Sequence, residues 1–257
     1  MLRTMKRAAL LVLLAACQSG AADDYPPRPG GGGTIIIGGG GGSGGRDAGI
    51  DGDGDGGTGS KIAGRVCILG DLRQLTVCDT TKDASRLTVR LGTRSATAPA
   101  RTGEFEIAGP LGNGLTWVVT GATVVTSVMP FGTDNTIPVI PDDLYTELLN
   151  VNQVIFPNEG QGSVVVRVVS GVEPAAGVTA TSTLVSDNVI PRYDDPASLL
   201  DWREVGPTDR FGVVWFPGVQ VTTTPAQITL RPPTGTPVTL RASVVEQAIT
   251  FVTQDLQ

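Results

Sequence analysis

The sequence contains no histidine. This removes the Ser-His-Asp triad, the Cys-His pair, the HExxH zinc site and every histidine proton shuttle, so the common hydrolase and zinc mechanisms have no residues to run on. Lysine is almost as scarce: beyond Lys6 only Lys61 and Lys82 occur, and no S-x-x-K is present. Positive charge is also in short supply. The formal net charge is −6, and taking away Arg3, Lys6 and Arg7 with a cleaved leader brings it to −9. Such a chain has no electrostatic footprint for nucleic acid or for anionic lipid head groups. No apolar run reaches the roughly 20 residues that a membrane-spanning helix needs. The span 107–133 lacks charge, but its glycines, prolines and threonines divide it into strands.

What is present begins with an address. Arg3, Lys6 and Arg7 precede an uncharged apolar stretch from Ala8 to Ala16, and a positive head on a short apolar core is the physical recipe for a secretion signal. Leu14-Ala15-Ala16-Cys17 then resembles the bacterial lipobox: a leucine, two small residues and a cysteine that receives a diacylglyceryl thioether. The resemblance implies that residues 1–16 are a signal peptide and that Cys17 is the acylated first residue of the mature chain. Two or three acyl chains hold a protein firmly to a bilayer, at about 0.8 kcal/mol per buried methylene. The expected partner is therefore the membrane, through a lipid. Gln18 stands where inner-membrane retention would place an aspartate, which implies an outer-membrane lipoprotein of the cell envelope.

Residues 17–60 are dominated by glycine, with the single aromatic Tyr25 and one apolar island, Ile35 to Ile37. Glycine brings no side chain to bury and loses the most entropy on ordering, so the composition predicts a disordered tether. Its mean reach is on the order of 35 Å. Gly41 to Gly45 match the letters of a nucleophile elbow without the strand and helix that give the motif meaning. Asp51, Asp53 and Asp55 open like a calcium loop, but the twelfth position is Ile62. Linker and weak Ca2+ site are the two readings, and linker is preferred.

Removing the acylated cysteine leaves Cys67 and Cys78. In an oxidising compartment, without a C-x-x-C or a four-ligand set, the pair predicts a disulfide. From Lys61 onward, short apolar and β-branched runs recur about every ten residues between turn formers: RVCIL, RLTVRL, EFEI, LTWVVTG, TVVTSVM, then SVVVRVV, GVTATSTL, FGVVWF, AQITL, VTLRASVV and AITFVT. This rhythm predicts an all-β fold. One helix is expected, over Pro141 to Asn152, capped by Asp142 or Asp143 and burying Leu144, Leu148 and Val151.

The two β-rich blocks resemble one another. Thr102-Gly-Glu-Phe105-Glu-Ile107 matches Thr208-Asp-Arg-Phe211-Gly-Val213, and the strands opened by Gly64 and Gly162 also correspond, so an internal duplication is expected. A T-x-x-F-x-[IV] segment after a strand pair, followed by a Pro/Gly turn and further strands, is similar to the carboxypeptidase regulatory-like, or transthyretin-like, β-sandwich. The hallmark of that family is a D-x-x-G-x-[FY] turn, from which these two segments depart in detail. The resemblance implies two tandem prealbumin/Ig-like sandwiches, at 61–140 and 161–257, joined by a short helical connector at 141–160. It also implies non-catalytic accessory, adhesive or scaffolding roles. Immunoglobulin-like and fibronectin-like sandwiches are the competing assignments.

An insertion in the second block, SDNVIPRYDDPASLLDWREVGPTD, carries the candidate binding residues. Tyr193 and Trp202 could stack on a sugar or peptide, and Asp187, Asp194, Asp195 and Asp201 could offer oxygens to calcium. An ordinary surface loop with its aromatics packed inward is the alternative, and it is preferred. Three function classes follow. The first is a tethered binding or adhesion module for a protein or carbohydrate, and the second is a structural subunit of an envelope complex. The third and least favoured is a glycoside hydrolase using carboxylates among Asp194, Asp195, Asp201 and Glu204. No residue is assigned a catalytic role.

Overall fold

The computed structural model describes residues 61–97, 99–109, 114–132, 134–155, 159–183 and 190–256. Residues 1–60, with Cys17, Asp51, Asp53 and Asp55, and Asp187 lie outside the described residues.

The chain is an all-β protein built as two sandwiches of the same connectivity. In the first, β1 (Lys61–Ile68) lies between β4 (Glu104–Ala108), antiparallel, and β7 (Thr136–Val139), parallel. Facing it, β2 (Thr88–Leu91), β5 (Thr116–Gly121) and β6 (Val124–Pro130) form an antiparallel run, with the two-residue β3 (Arg94–Ser95) hairpinned onto β2. In the second, β8 (Gln161–Ser170) lies between β13 (Val213–Gln220), antiparallel, and β16 (Ala248–Asp255), parallel. Opposite stand β10 (Thr179–Ser182), β14 (Ala226–Arg231) and β15 (Val238–Ala242), all antiparallel. The strand orders β4-β1-β7 and β13-β8-β16 correspond, as do β2-β5-β6 and β10-β14-β15.

The turns that enter β4 and β13 fix the residue correspondence. Val66 donates to Gly103 O at 2.9 Å, and Val168 donates to Gly212 O at 2.7 Å. Both glycines have positive φ, +100° and +63°, and a Cβ would come within 2.1 Å of Val66 O or 2.5 Å of Val168 O. Only glycine lets the two backbones approach this closely. The duplication is therefore registered on Gly103 and Gly212, which pairs Thr102 with Phe211 and Gly64 with Val166. The sequence-level matches of Thr102 to Thr208 and Gly64 to Gly162 are shifted by a few residues. The apolar alternation they rest on leaves a strand free to slide against its copy, and the turn glycine does not.

The two sandwiches are joined edge to edge. β16, the last strand, pairs in parallel with β8 on one side and with β6 on the other. This makes one ten-stranded sheet that continues from β2-β5-β6 into β16-β8-β13, β11 (Arg192–Asp194) and β12 (Trp202–Arg203). The two-residue β9 (Glu173–Pro174) pairs with the end of β8. The described residues from Lys61 on accordingly form a single compact unit, in which 141–155 is a connector beneath a continuous sheet.

Three cores result. Phe105, Ile107, Trp117, Val119 and Ile137 fill the first sandwich, and Val164, Val166, Phe216, Ile228, Leu230 and Leu240 fill the second. A third core lies on the other face of β8-β13-β16: Val165, Val213, Trp215, Ile249 and Phe251 meet Leu69, Leu72 and Leu75, which come from the loop closed by the Cys67–Cys78 disulfide. The helix α1 (Asp142–Val151) covers the same face with Tyr145, Leu148 and Leu149. Because both faces of β8 are covered, its valines are buried without alternation.

The helix differs from its expectation in detail. Pro141 occupies the N-cap, and neither Asp142 nor Asp143 caps. Leu144 is half-buried and Val151 is 41% exposed, while Tyr145 and Leu149 turn inward. The face is set by the junction core below it rather than by the most apolar stripe.

Candidate functional site

The insertion between β10 and β13 places three of its expected binding residues, Tyr193, Asp194 and Trp202, inside the protein. Tyr193 sits in β11, 4% exposed, between β13 and β12. Its hydroxyl accepts from Ala180 N at 3.0 Å and donates to Ala180 O at 3.1 Å. Burial pushes the phenol pKa up, and the hydrogen bond to Ala180 partly offsets this. Trp202 stands in β12, 5% exposed, edge-on to Trp215 at 5.5 Å. Asp194 is fully buried, and its carboxylate accepts the backbone N–H groups of Asp209, Phe211 and Val213 at 2.9, 2.9 and 3.3 Å. It thus holds the turn that contains Gly212. Tyr193, Asp194 and Trp202 are corrected to packing and turn-holding residues, with no free ring face or open carboxylate for a ligand.

Asp195 and Glu204 lie outside that interior and are also engaged. Asp195 Oδ1 accepts from Ala197 N at 2.8 Å, and Glu204 accepts from Arg192 at 2.6 Å. The Arg192 guanidinium also reaches Asn152 O at the end of α1. Asn152 in turn binds the Leu200 carbonyl and the Trp202 amide. The insertion is a clamp on the helix. Among the described residues, no three acidic, histidine or cysteine side chains converge to hold a metal ion.

A second clamp comes from the disulfide loop. Arg73 is 7% exposed and grips Asp71 through Nε at 2.9 Å and Nη2 at 2.8 Å. Its Nη1 donates to the carbonyls of Asp195 and Ser198, and its Cζ lies over the Phe211 ring, 4.9 Å from the ring centre. An arginine of the first sandwich is thereby inserted into a loop of the second. Burial drives the Asp71 carboxyl upward, but hydrogen bonds from Arg73 and Gln74 outweigh it and hold the carboxyl below its ordinary value. Sequence reading passed over Arg73. Its one visible signal is a charged residue inside an apolar loop tied by two cysteines.

The open concavities lie elsewhere, at one end of each sandwich. In the first, a groove of about 470 Å³ runs between Ile68, Lys82, Asp83, Thr123, Val124 and Asp142. It extends past Asp79, Leu144 and Glu147. In the second, a groove of about 290 Å³ lies between Ser170, Ala175, Val178, Pro233, Val238 and Leu256. The two are equivalent in the duplication, since each is framed by the end of β1 or β8, by the β5–β6 or β14–β15 turn, and by the end of β7 or β16. Their chemistry differs. The first is charged, and Asp79 and Asp83 are held ionised below the usual carboxylate range, chiefly by hydrogen bonds from Thr81 and Ser85 respectively. The second is lined by proline, alanine and threonine.

No protein-family model and no curated protein matches the chain. Among the described residues, no helix is long and apolar enough to cross a membrane.

Proposed function

We propose that this chain is a cell-envelope lipoprotein of the outer membrane, acylated at Cys17, that carries a rigid two-sandwich unit acting as a non-catalytic binding or scaffold module. The observation that carries the reading is Leu14-Ala15-Ala16-Cys17 at the end of a charged-then-apolar leader. The glycine-rich residues 17–60 serve as the tether, and a protein or carbohydrate is the ligand class. Among the described residues the end grooves offer it open surface, whereas Tyr193, Asp194 and Trp202 of the insertion face inward.

A carboxypeptidase regulatory-like ancestry is supported by the turns at Gly103 and Gly212. Once aligned on those glycines, Asp209-Arg210-Phe211-Gly212-Val213-Val214 and Ala100-Arg101-Thr102-Gly103-Glu104-Phe105 both carry the spacing of the D-x-x-G-x-[FY] turn. The second copy keeps the aspartate and the first keeps the aromatic. Members of that family serve as accessory modules of exported proteins, in keeping with this role. The structural-subunit reading is favoured by the shared sheet, which makes the pair one stiff body suited to docking on a larger complex. A carboxylate-dependent glycosidase finds no support in Asp194, whose oxygens are occupied by backbone amides.

Intact mass of the purified protein tests the proposal. The expected mass lacks residues 1–16, carries diacylglycerol on Cys17 and is two hydrogens short for Cys67–Cys78. A Cys17→Ser chain should leave the membrane fraction. An unmodified Cys17, or membrane association that survives the substitution, overturns the reading.

A further inference from the structure

The two sandwiches share one ten-stranded sheet, but the layer that covers it is not shared. On the face that carries Val164, Thr250 and Val252, the strands β13-β8-β16 are covered by β10-β14-β15. Two contacts fix how that cover is laid. The Tyr193 hydroxyl of β11 reaches Ala180 in β10 on one side, and on the other Thr250 Oγ1 of β16 donates to Ser243 O, just beyond β15, at 2.6 Å. β15 is therefore the margin of the cover, above β16. The sheet runs on beneath it into β6, β5 and β2, and the pairing carries the same face across: Thr250 stands beside Val128, Val128 beside Val118, and Val118 beside Arg90. Exposure rises along that row, from buried Val128 through half-buried Val118 to exposed Arg90. Among the described residues the molecule thus has a step, with β15 as its wall and this face of β6-β5-β2 as its floor.

Both parts of the step suit an added strand. A sheet margin with free N–H and C=O groups pairs with an extended chain that meets it, unless it is shortened, covered or blocked. At the opposite margin the Tyr193 hydroxyl takes up both backbone groups of Ala180. β15 is five residues long, without proline, and paired among the described residues with β14 alone. A strand laid against it stands about 4.8 Å further out and about 10 Å above the floor. Alternate side chains then point down onto Val118 and the half-buried threonines Thr116, Thr120 and Thr126. The other set stands beside Thr239 and Arg241 on the outer face, where β14 adds Arg231 and neither strand carries an acidic residue. The floor also excludes one occupant. A second copy pairing its own β15 antiparallel would be related by a two-fold axis perpendicular to the sheet. Its shared sheet would then fall in the layer that β6, β5 and β2 already fill. The space admits a strand with no covering layer of its own.

We propose that the step binds an extended polypeptide segment of another protein by strand addition to β15, with apolar or β-branched residues facing the floor and acidic residues facing Arg241. This deepens the reading of the unit as a binding module and rests on it. Backbone pairing along β15 supplies affinity and is indifferent to sequence. Selection comes from the side chains, through apolar contact at Val118 and charge at Arg241. The bound segment extends the cover layer over the first sandwich, standing beside β15 as β6 stands beside β16.

Amide hydrogen exchange of the full mature chain tests this, with a capped peptide of about seven residues that alternates valine with glutamate and is long enough to span β15. At saturating peptide, the amides of Val238–Ala242 that are turned away from β14 should exchange at least about tenfold more slowly than without it, while β8 and β13 are unchanged. Replacing the glutamates by lysines should weaken binding at least about fivefold, and Arg241→Glu should reverse that preference. A central proline in the peptide should abolish binding. The proposal is overturned if those amides are already protected in the peptide-free chain, since the margin is then covered from within. It is overturned equally if the protection appears on concentrating the peptide-free chain, which assigns the seat to a second copy, or if peptide leaves β15 unchanged or ignores the charge reversal. Protection that arises instead at the end grooves, around Asp79 or Val178, overturns the step and leaves the binding-module reading standing.

Discussion

The equivalent strands β1 and β8 occupy the same place in two copies of one module, yet their burial differs. β1 is exposed or half-buried over its first five residues and buried only from Val66 on, while β8 is buried almost throughout. The second sandwich must satisfy a core on each face of β8-β13-β16. Among the described residues, the first has no second cover over the start of β4-β1-β7. A duplicated module can therefore keep its connectivity while one copy becomes the foundation for the other. The additions that make it so are the disulfide loop, α1 and the clamp from Arg192 to Trp202, and none of these belongs to the repeated strand pattern.

Two tryptophans separate the copies most sharply. Trp117 packs within the first sandwich between Phe105 and Phe131 at 5.3 and 5.7 Å, and Trp215 packs in the junction against Tyr145 and Trp202 at 6.0 and 5.5 Å. Either change to alanine should cost about 3–5 kcal/mol in chemical denaturation. Because the sheet is shared, both variants should unfold in a single transition. Two resolved transitions in Trp215→Ala would show that the copies are joined more weakly than the continuous sheet implies.

The disulfide gives the next largest effect. Cys67→Ala/Cys78→Ala should lose about 2–4 kcal/mol, with exchange rising in residues 69–78 and α1 while β10, β14 and β15 stay protected. Uniform loss of protection across both sandwiches would contradict a bridge that serves the junction.

The smallest effect concerns pH. The folded Asp71 carboxyl lies below its unfolded value, so its contribution is complete above the ordinary carboxylate pKa and disappears as pH falls through the lower folded value. Stability titrated from neutral to acid should therefore fall less steeply in Asp71→Asn than in the parent. An identical slope would mean that Arg73 serves the Asp195 and Ser198 carbonyls alone.

The strands most legible in sequence are those with one wet face. RLTVRL, EFEI and AQITL alternate, and they become β2, β4 and β14 with alternating burial. The missed strands are short or carry a breaker. β7 reads TIPV, and its proline argues against a strand until the neighbouring β1 is seen to hold it at an edge. β11 and β12 hide in a loop-like insertion, because two or three residues show no periodicity. The inward turn of Tyr193 and Trp202 is legible in sequence, since large aromatics are mostly buried. The capture of Asp194 by three amides depends on a turn 15 to 19 residues away and leaves no local trace.

Local chemistry by itself determined the β-sandwich class, the cysteine pair, the existence of a duplication and the absence of histidine chemistry. Each rests on composition, on alternation along a strand or on the spacing of two residues. Only the tertiary structure decided that β16 would slot between β6 and β8 and that Arg73 would cross from one sandwich to the other. These are choices of partner among strands of similar pattern. They are made by which faces and edges remain uncovered once every other element has packed.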